Sequence, residues 1–292
     1  MASTRDLRRR IKSVRNTAQI TKAMQMVAAS KMRKAQQLAI GGRPYADVMN
    51  RVLGEVTHSS GDFQHPLMEK RSGDRACVLI VSSDKGLCGA LNSNLLREAA
   101  RLDKTKTVFV TAGRKAAQFV ARTRRTLKAD FSYKDNPQFS EARAISKFVR
   151  ELFLNGEVDR VDVLFTNFIS TLVQKPEIFP LLPVGEIKGV STGIAGEAMD
   201  QQLVKGATEF LFEPNAESVL GSLLPHYINF QVFQILLEAR ASEQSARMVA
   251  MKNATDNATQ LIKDLTLEYN KMRQASITKE LLEITSAAMA LG

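Results

Sequence analysis

The loop Ser82–Gly89, SSDKGLCG, brings two glycines, a lysine and a cysteine together ahead of a candidate helix. Gly86 and Gly89 beside a helix N-terminus, with Lys85 close by, could cradle a phosphate on backbone N–H groups. The loop lacks both the GxxxxGK(S/T) and the GxGxxG spacings, so it reads first as a structural turn between a strand and a helix. Cys88 beside Lys85 could have a lowered thiol pKa, but no histidine is near it in sequence to act as its base. His58, His65 and His226 stand alone, without HExxH or Cys/His spacing, and assemble neither a metal site nor a triad. Glu280 and Glu283 share a helix face at i, i+3, a spacing that a metal site can use and that also describes a solvated or partner-facing charge face. No enzyme constellation emerges, and the expectation is a chain with no catalytic residue, cofactor or metal of its own.

The elements that must position such residues follow from periodicity. No Gly or Pro occurs from Met1 to Ile40, and Leu7, Ile11, Val14 and Ala18 recur at four-three-four spacing on one helix face. The stripe continues through Thr21, Gln25, Ala28, Met32 and Ala35, small or polar residues that allow close helix approach but bury little area each. Gly41, Gly42 and Pro44 interrupt the helix, and Met49 to Val56 carries on after a kink or short break. A second stretch without Gly or Pro, His226 to Leu291, would span roughly 100 Å as one helix. Within it Ala258, Ile262, Leu265, Tyr269 and Met272 repeat in heptad fashion, as do Ile277, Leu281, Ile284, Ala288 and Leu291. Ile284 to Leu291 is small or apolar around the whole circumference, so that tip must lie inside something.

Between the helices the pattern changes to short apolar runs alternating with helical stretches: Ala76 to Val81, Val108 to Thr111, Val161 to Phe165 and, more weakly, Ile178 to Leu182. This is an α/β domain with a mainly parallel, Rossmann-like sheet. A helix from Leu91 to Leu102 follows the loop Ser82–Gly89. Pro176, Pro180 and Pro183 make the region around Ile178 an edge strand or extended loop. Gly185 to Gly206, rich in Gly and Ser, is expected to be mobile. The fold class is therefore an antiparallel coiled coil of the N- and C-terminal helices with an inserted α/β domain. Its expected parts are residues 1–57 and 214–292 for the two shaft helices and 74–208 for the domain, and the C-terminal helix outruns its partner.

With 292 residues, 44% hydrophobic and 24% charged, the chain can bury a core and is neither disordered nor membrane-spanning in composition. No apolar run reaches the roughly 18 to 20 residues that cross a bilayer, and the basic N-terminus lacks the apolar core of a secretory signal. Cys77 and Cys88 are too few for a disulfide framework, which fits a reducing compartment. The formal charge is +11, and it is concentrated: Arg5, Arg8, Arg9, Arg10, Lys12, Arg15, Lys22, Lys31, Arg33 and Lys34 face the single acid Asp6 in the first helix. Such a segment implies an acidic partner, whether nucleic acid phosphate, anionic lipid or carboxylates of another protein. The lack of Trp and the four Tyr leave little for a base-stacking platform. A basic rod with an apolar tip fits an acidic protein cavity better than the side of a duplex.

Four runs carry more than pattern: ITKAMQMVAASKMRKAQ (Ile20 to Gln36), SSDKGLCGALNSN (Ser82 to Asn94), ASEQSARMVAMKNATDNA (Ala241 to Ala258) and YNKMRQASITKELLEI (Tyr269 to Ile284). In sequence and order they resemble the gamma subunits of bacterial-type F-type ATP synthases, and the resemblance runs from end to end. It implies a non-catalytic rotor shaft in a ring of three alpha and three beta subunits, with the domain resting on the epsilon subunit and the membrane c-ring. It implies one copy per complex, coupling of proton flow to ATP synthesis or hydrolysis, and a peripheral place on the cytoplasmic face of the inner membrane. The residues it singles out as coupling contacts with beta are Met24, Lys31, Arg33, Arg247, Arg273, Gln274, Thr278 and Glu280. Among these, Arg273 and Gln274 would meet the beta catch loop, and Arg247 and the 278–280 turn would support coupling between the helices. The foot would be Phe210, Leu211, Phe212 and Glu213, where many relatives carry Tyr for Phe. The cysteine-bearing redox insertion of chloroplast relatives is missing. The competing readings are a basic coiled-coil nucleic-acid binder and an α/β enzyme dependent on Lys85 or Cys88.

Overall fold

The computed structural model describes residues 3–59, 65–185, 213 and 215–291. Its elements are α1 (Thr4–Gly41), α2 (Arg43–Ser59), β1 (Ala76–Val81), α3 (Leu91–Arg101), β2 (Thr107–Ala112), α4 (Arg114–Arg122), β3 (Leu127–Phe131), α5 (Phe139–Leu154), β4 (Arg160–Phe168), β5 (Gln174–Leu182) and α6 (Ala216–Leu291). They form two compact units, Met1–Val27 with Met248–Gly292, and Ala28–Arg247. The larger unit contains the sheet together with α1 from Ala28 onward, all of α2 and α6 as far as Arg247, because apolar side chains of α2 and α6 join the sheet's core and Ala35 of α1 packs on Phe168 of β4.

In the larger unit the strand order is β3-β2-β1-β4-β5. The first four strands are parallel, and β5 returns antiparallel along β4. The centre is β1, ACVLIV, with all six residues buried, as a parallel strand covered on both faces requires. Its side chains alternate between two cores. Val78 and Ile80 meet Leu95, Ala99, Ala116 and Val120 of α3 and α4. Cys77, Leu79 and Val81 meet α5 through Ile145 and Val149, α2 through Met49, Leu53 and Val56, and α6 through Leu224, Ile228 and Ile235. Each fully buried apolar side chain of this kind contributes roughly 1.5–3 kcal/mol. Strand β5 is the edge, where Pro176 and Pro180 stand opposite Thr166 and Asp162 and remove N–H donors that a central strand would need.

Two features depart from the periodic runs read in the sequence. Strand β3, LKADF, is short, mostly exposed and paired only with β2, so it has the alternating burial of an edge rather than an apolar run. Helix α6 begins at Ala216, ahead of the stretch without Gly or Pro that starts at His226, and continues through Gly221 and Pro225. A proline inside a helix costs about 3 kcal/mol through its lost hydrogen bond and its clash with the carbonyl four residues earlier. Here that earlier residue is Gly221, and the burial of Leu220, Leu224, Tyr227 and Ile228 around it offsets the cost. Between α1 and α2 the break falls at Gly42, where an added Cβ would lie 2.3 Å from Gln234 Nε2 of α6. The segment Gly185 to Gly206 lies, apart from its first residue, outside the described residues.

In the smaller unit α1 and α6 run antiparallel. Arg8 donates to the Tyr269 hydroxyl at 2.6 Å with its guanidinium 5.5 Å from the ring centroid, and Thr21 and Thr255 share a hydroxyl hydrogen bond of 2.7 Å. Leu7 and Thr21 are buried with Met251, Ala258 and Leu265, and Ile11, Val14, Ala18, Ile262, Tyr269 and Met272 are half-buried along the same seam. This is the coiled coil that the heptad spacing predicts.

At the opening of β1, Asp159 accepts from the Arg75 backbone N–H at 3.0 Å and from its guanidinium at 3.0 and 3.2 Å. Those hydrogen bonds hold the carboxyl below its usual range. A depressed folded pKa contributes stability above the unfolded carboxyl pKa, and that stability is lost as pH falls through the folded value. Asp159→Asn is therefore expected to lower the urea midpoint at neutral pH and to change it much less once pH has fallen through the lowered folded value, shrinking the acid loss seen in the parent chain.

Candidate functional site

Doubly wound sheets hold ligands in the crevice outside the carboxyl ends of their strands, where the crossovers change direction. In this chain the change lies between β1 and β4, and the segment of α6 from Glu238 to Arg247 fills the crevice. Glu238 accepts from the Phe168 N–H at 3.4 Å at the end of β4. Ser245 Oγ donates to the Thr171 carbonyl at 2.8 Å in the turn after β4. Arg240 Nε donates to the Asp135 carbonyl at 3.1 Å beyond β3, and its guanidinium also pairs with the Asp135 and Glu243 carboxylates. Arg247 pairs with Glu243 at 2.6 Å and reaches the Gly86 and Lys85 carbonyls at 3.3 and 3.5 Å in the loop after β1. From α1, Lys31 pairs with Asp135 at 2.5 Å. Nearby, Ala35 of α1, Ala241 of α6 and Phe168 form a small apolar cluster, since two alanines let the helix backbones approach closely. The residues from Glu238 to Ser245 are all buried, although most are polar. Polar burial of this extent rests on the hydrogen bonds just described, although the buried Ser242 hydroxyl within the run has no partner among the described residues.

The loop Ser82–Gly89 is equally committed. Ser82 Oγ accepts from the Ala116 N–H at 2.8 Å, the Ser83 carbonyl from Lys115 N–H at 3.2 Å, and Asp84 from Arg114 N–H at 3.0 Å. The first turn of α4 is thereby capped by the preceding βα loop. Asn92 donates to Ser83 Oγ at 2.8 Å and to Cys88 Sγ at 3.2 Å, and the buried Tyr133 hydroxyl donates to the Ser82 carbonyl at 3.0 Å. Leu87 and Gly89 take positive φ, 64° and 59°. These contacts are those of a structural turn. Burial pushes the Cys88 thiol above its ordinary pKa despite Arg247, and it pushes Cys77 up to about 12, the opposite of an activated nucleophile.

The remaining sequence candidates fall as follows. His65 is half-buried, its Nδ1 accepts from Leu67 N–H at 3.1 Å, and burial lowers its pKa. His226 is exposed on α6, and the side chain of His58 lies outside the described set. Glu280 and Glu283 are exposed, with Glu283 paired to Lys279 at 3.6 Å. Among the described residues no group of three or more His, Cys, Asp or Glu is placed to hold a metal ion.

Of the residues singled out as coupling contacts, Lys31 and Arg247 come together in the crevice network, and Arg33 is exposed on α1. Met24 is half-buried in the smaller unit. Arg273, Gln274, Thr278 and Glu280 lie beyond the last seam residue, Met272, where α6 has no partner helix among the described residues of its unit. That stretch leaves Ile277, Leu281, Leu282, Ile284 and Met289 49–84% exposed. Residues 273–291 rise about 28 Å at 1.5 Å per residue. Phe210, Leu211 and Phe212 lie outside the described residues, and Glu213 is exposed. Sequence reasoning missed Asp135, Arg240 and Glu243. The signal available was a polar run, EARASEQS, inside a helix otherwise read as amphipathic.

A doubly wound sheet whose carboxyl-end crevice is closed by the chain's own helix, joined in sequence to an antiparallel coiled coil of the terminal helices, defines a class of protein in which the chain itself takes the usual ligand position of the sheet. Comparison with known proteins makes this particular. The family model described as ATP synthase matches residues 3–291. The ATP synthase gamma chain of Methylacidiphilum infernorum is 46% identical over 100% of both chains, and that of Opitutus terrae is 48% identical over 99% of both. This chain belongs to the ATP synthase gamma family. In fold it is similar to a chain of the Euglena gracilis mitochondrial ATP synthase (OSCP/F1/c-ring, rotational state 3), with TM-score 0.70, 21% identity and coverage of 99% of this chain and 94% of that one. It is also similar to a chain of the Tetrahymena thermophila mitochondrial ATP synthase central stalk and c-ring, with TM-score 0.60, 25% identity and coverage of 80% and 99%.

Proposed function

We propose that this chain is the non-catalytic rotor shaft of an F-type ATP synthase, passing torque between the membrane c-ring and the catalytic beta subunits. The observation that carries this reading is the end of α6. Its last turns, residues 284–291, are nearly all small or apolar, and from Arg273 onward α6 has no partner among the described residues of its unit, so exposed Ile277, Leu281, Leu282, Ile284 and Met289 require an enclosing sleeve, which a ring of subunits supplies. Full-length similarity to gamma chains supports the same reading. The basic residues of α1, from Arg5 to Arg15 and including Arg33, are exposed and would face acidic segments of the beta subunits. Arg273, Gln274, Thr278 and Glu280 would touch the ring, Met24 would adjoin it, and Phe210–Glu213 would rest on the epsilon subunit and the c-ring.

An asymmetric shaft inside a threefold ring biases three identical sites differently, because each beta subunit meets a different face of it. Rotation moves those biases from site to site. The chain itself would hold no nucleotide, since Arg240, Glu243 and Arg247 occupy the crevice where a dinucleotide would sit. No helix among the described residues is long and apolar enough to cross a membrane. Association with the cytoplasmic face of a bacterial inner membrane would therefore be through the complex.

The test is to tag the chain, extract native membranes gently and assay the captured material. ATP hydrolysis with stoichiometric alpha and beta subunits, and none from the chain alone, is expected. A chain captured without ATPase partners and held on DNA in a strongly salt-dependent way would overturn the reading.

A further inference from the structure

The crevice network has one centre. The Glu243 side chain is 3% exposed and lies between two arginines that are themselves 7% and 11% exposed. Arg240 leads outward to Asp135 and through it to Lys31 of α1. Arg247 leads to the backbone of the loop after β1. Thus one carboxylate on α6 ties together α1 and the loops that leave two different strands. The bonded residues are far apart in sequence, 105 positions for Arg240 and Asp135 and 161 for Arg247 and Gly86. A carboxylate bridging two guanidiniums fixes direction as well as distance, because each fork accepts only a narrow range of approach. The apolar contact alongside them is a small cluster of Ala35, Ala241 and Phe168, with the larger apolar core of α6 lying before Arg240.

We propose that Glu243 is the positioning residue that clamps the α/β domain onto the terminal helices, so that a turning load on the domain reaches α6 and α1 without slip. The inference rests on the shaft reading, and it assigns to Glu243, Arg240 and Asp135 a role that the family resemblance does not give them. Under load the ionic links are strained directly. Without load they maintain geometry that the hydrophobic core of the domain already supports.

The experiment uses the full complex reconstituted in lipid vesicles, with Glu243→Gln, Glu243→Asp and Asp135→Asn in this chain. Glu243→Gln is expected to leave ATP hydrolysis in ionophore-treated vesicles within about twofold of the parent, and to cut ATP synthesis at a fixed pH gradient by about fivefold or more. Glu243→Asp should recover part of that loss. Asp135, 58% exposed, can be altered with little risk to folding, and Asp135→Asn should reduce synthesis by about twofold or more. Amide exchange across residues 82–89 should quicken in both Glu243 variants and most in Glu243→Gln. Synthesis unchanged in an assembled Glu243→Gln complex overturns the clamp, as does unchanged amide exchange. If Glu243→Gln fails to assemble, unchanged synthesis in Asp135→Asn overturns it. If the parent complex itself neither assembles nor couples, the shaft reading fails, and amide exchange in the free chain still decides whether Glu243 holds the loop.

Discussion

Gly113→Ala is expected to produce the largest stability loss of any single methyl added to this protein. Gly113 sits between β2 and α4 with φ of 106°, and a Cβ there would lie 2.1 Å from the Ser82 carbonyl oxygen and 2.9 Å from its carbon. Two costs combine: a left-sided backbone conformation, about 1–3 kcal/mol for a residue with a side chain, and overpacking against backbone, about 1–3 kcal/mol more. Neither can relax cheaply, because Ser82 is held by N–H to Ala112 O at 2.8 Å, by Oγ to Gly113 O at 3.2 Å and by the Tyr133 hydroxyl at its own carbonyl. The loss should appear as a fall in the thermal midpoint and a lower urea midpoint with an unchanged slope. It should also loosen residues 82–89, whose Ser82 caps α4 and whose Lys85 and Gly86 carbonyls bind Arg247. A parent-like melting curve would mean that the turn accommodates a side chain and that its glycine has another use.

How much of this was legible in the sequence depends on how local each interaction is. Strand β1 could be read because six consecutive apolar residues buried on both faces leave a continuous run, and Gly86 and Gly89 then mark the turn to α3. The seam of the terminal helices could be read because Leu7, Ile11, Val14 and Ala18 on one side, and Ala258, Ile262, Leu265, Tyr269 and Met272 on the other, keep the period of a coiled coil. Strand β3 could not, since its only partner is β2 and its side chains are largely exposed. The first turns of α6 fall within the residues 214–292 expected for the C-terminal helix, although Gly221 and Pro225, which normally punctuate helices, interrupt the periodic pattern there, and tertiary burial of Leu220 and Leu224 overrides them.

The crevice network illustrates the limit most directly. Arg240, Glu243 and Arg247 follow one another at helical spacing, which from sequence suggests a solvated salt-bridged face. What buries them is Asp135, Lys31 and the loop carbonyls, which no periodicity within α6 reveals. Conversely, the reading of SSDKGLCG as a turn could be made from the motifs it lacks. The structure adds the reason: Ser82, Ser83 and Asp84 are the cap of α4, reached across the sheet from a neighbouring strand.

Met24→Lys is expected to have the largest effect on coupling with little effect on folding. Met24 is half-buried at the edge of the seam between α1 and α6, one position from Gln25, and its unit keeps Leu7, Thr21, Ala258 and Leu265 as the buried contacts. A lysine there can lay its methylenes along the seam and carry its ammonium outward, so the helix pair should survive with a helical content and thermal midpoint close to the parent. Outward, the new charge joins Lys22 on a helix already dense in cations and, on the shaft reading, faces the acidic segments of the ring. A charge pair formed there in only some rotational positions would add a barrier on the scale of measured interfacial pairs, about 1.5 kcal/mol or more. The expected result is an assembled complex that hydrolyses ATP within about twofold of the parent but pumps several-fold fewer protons per ATP, a loss that weakens as ionic strength rises. Parent-like pumping at low salt would remove Met24 from the coupling surface, whereas failure to assemble would place it in the seam rather than beside the ring.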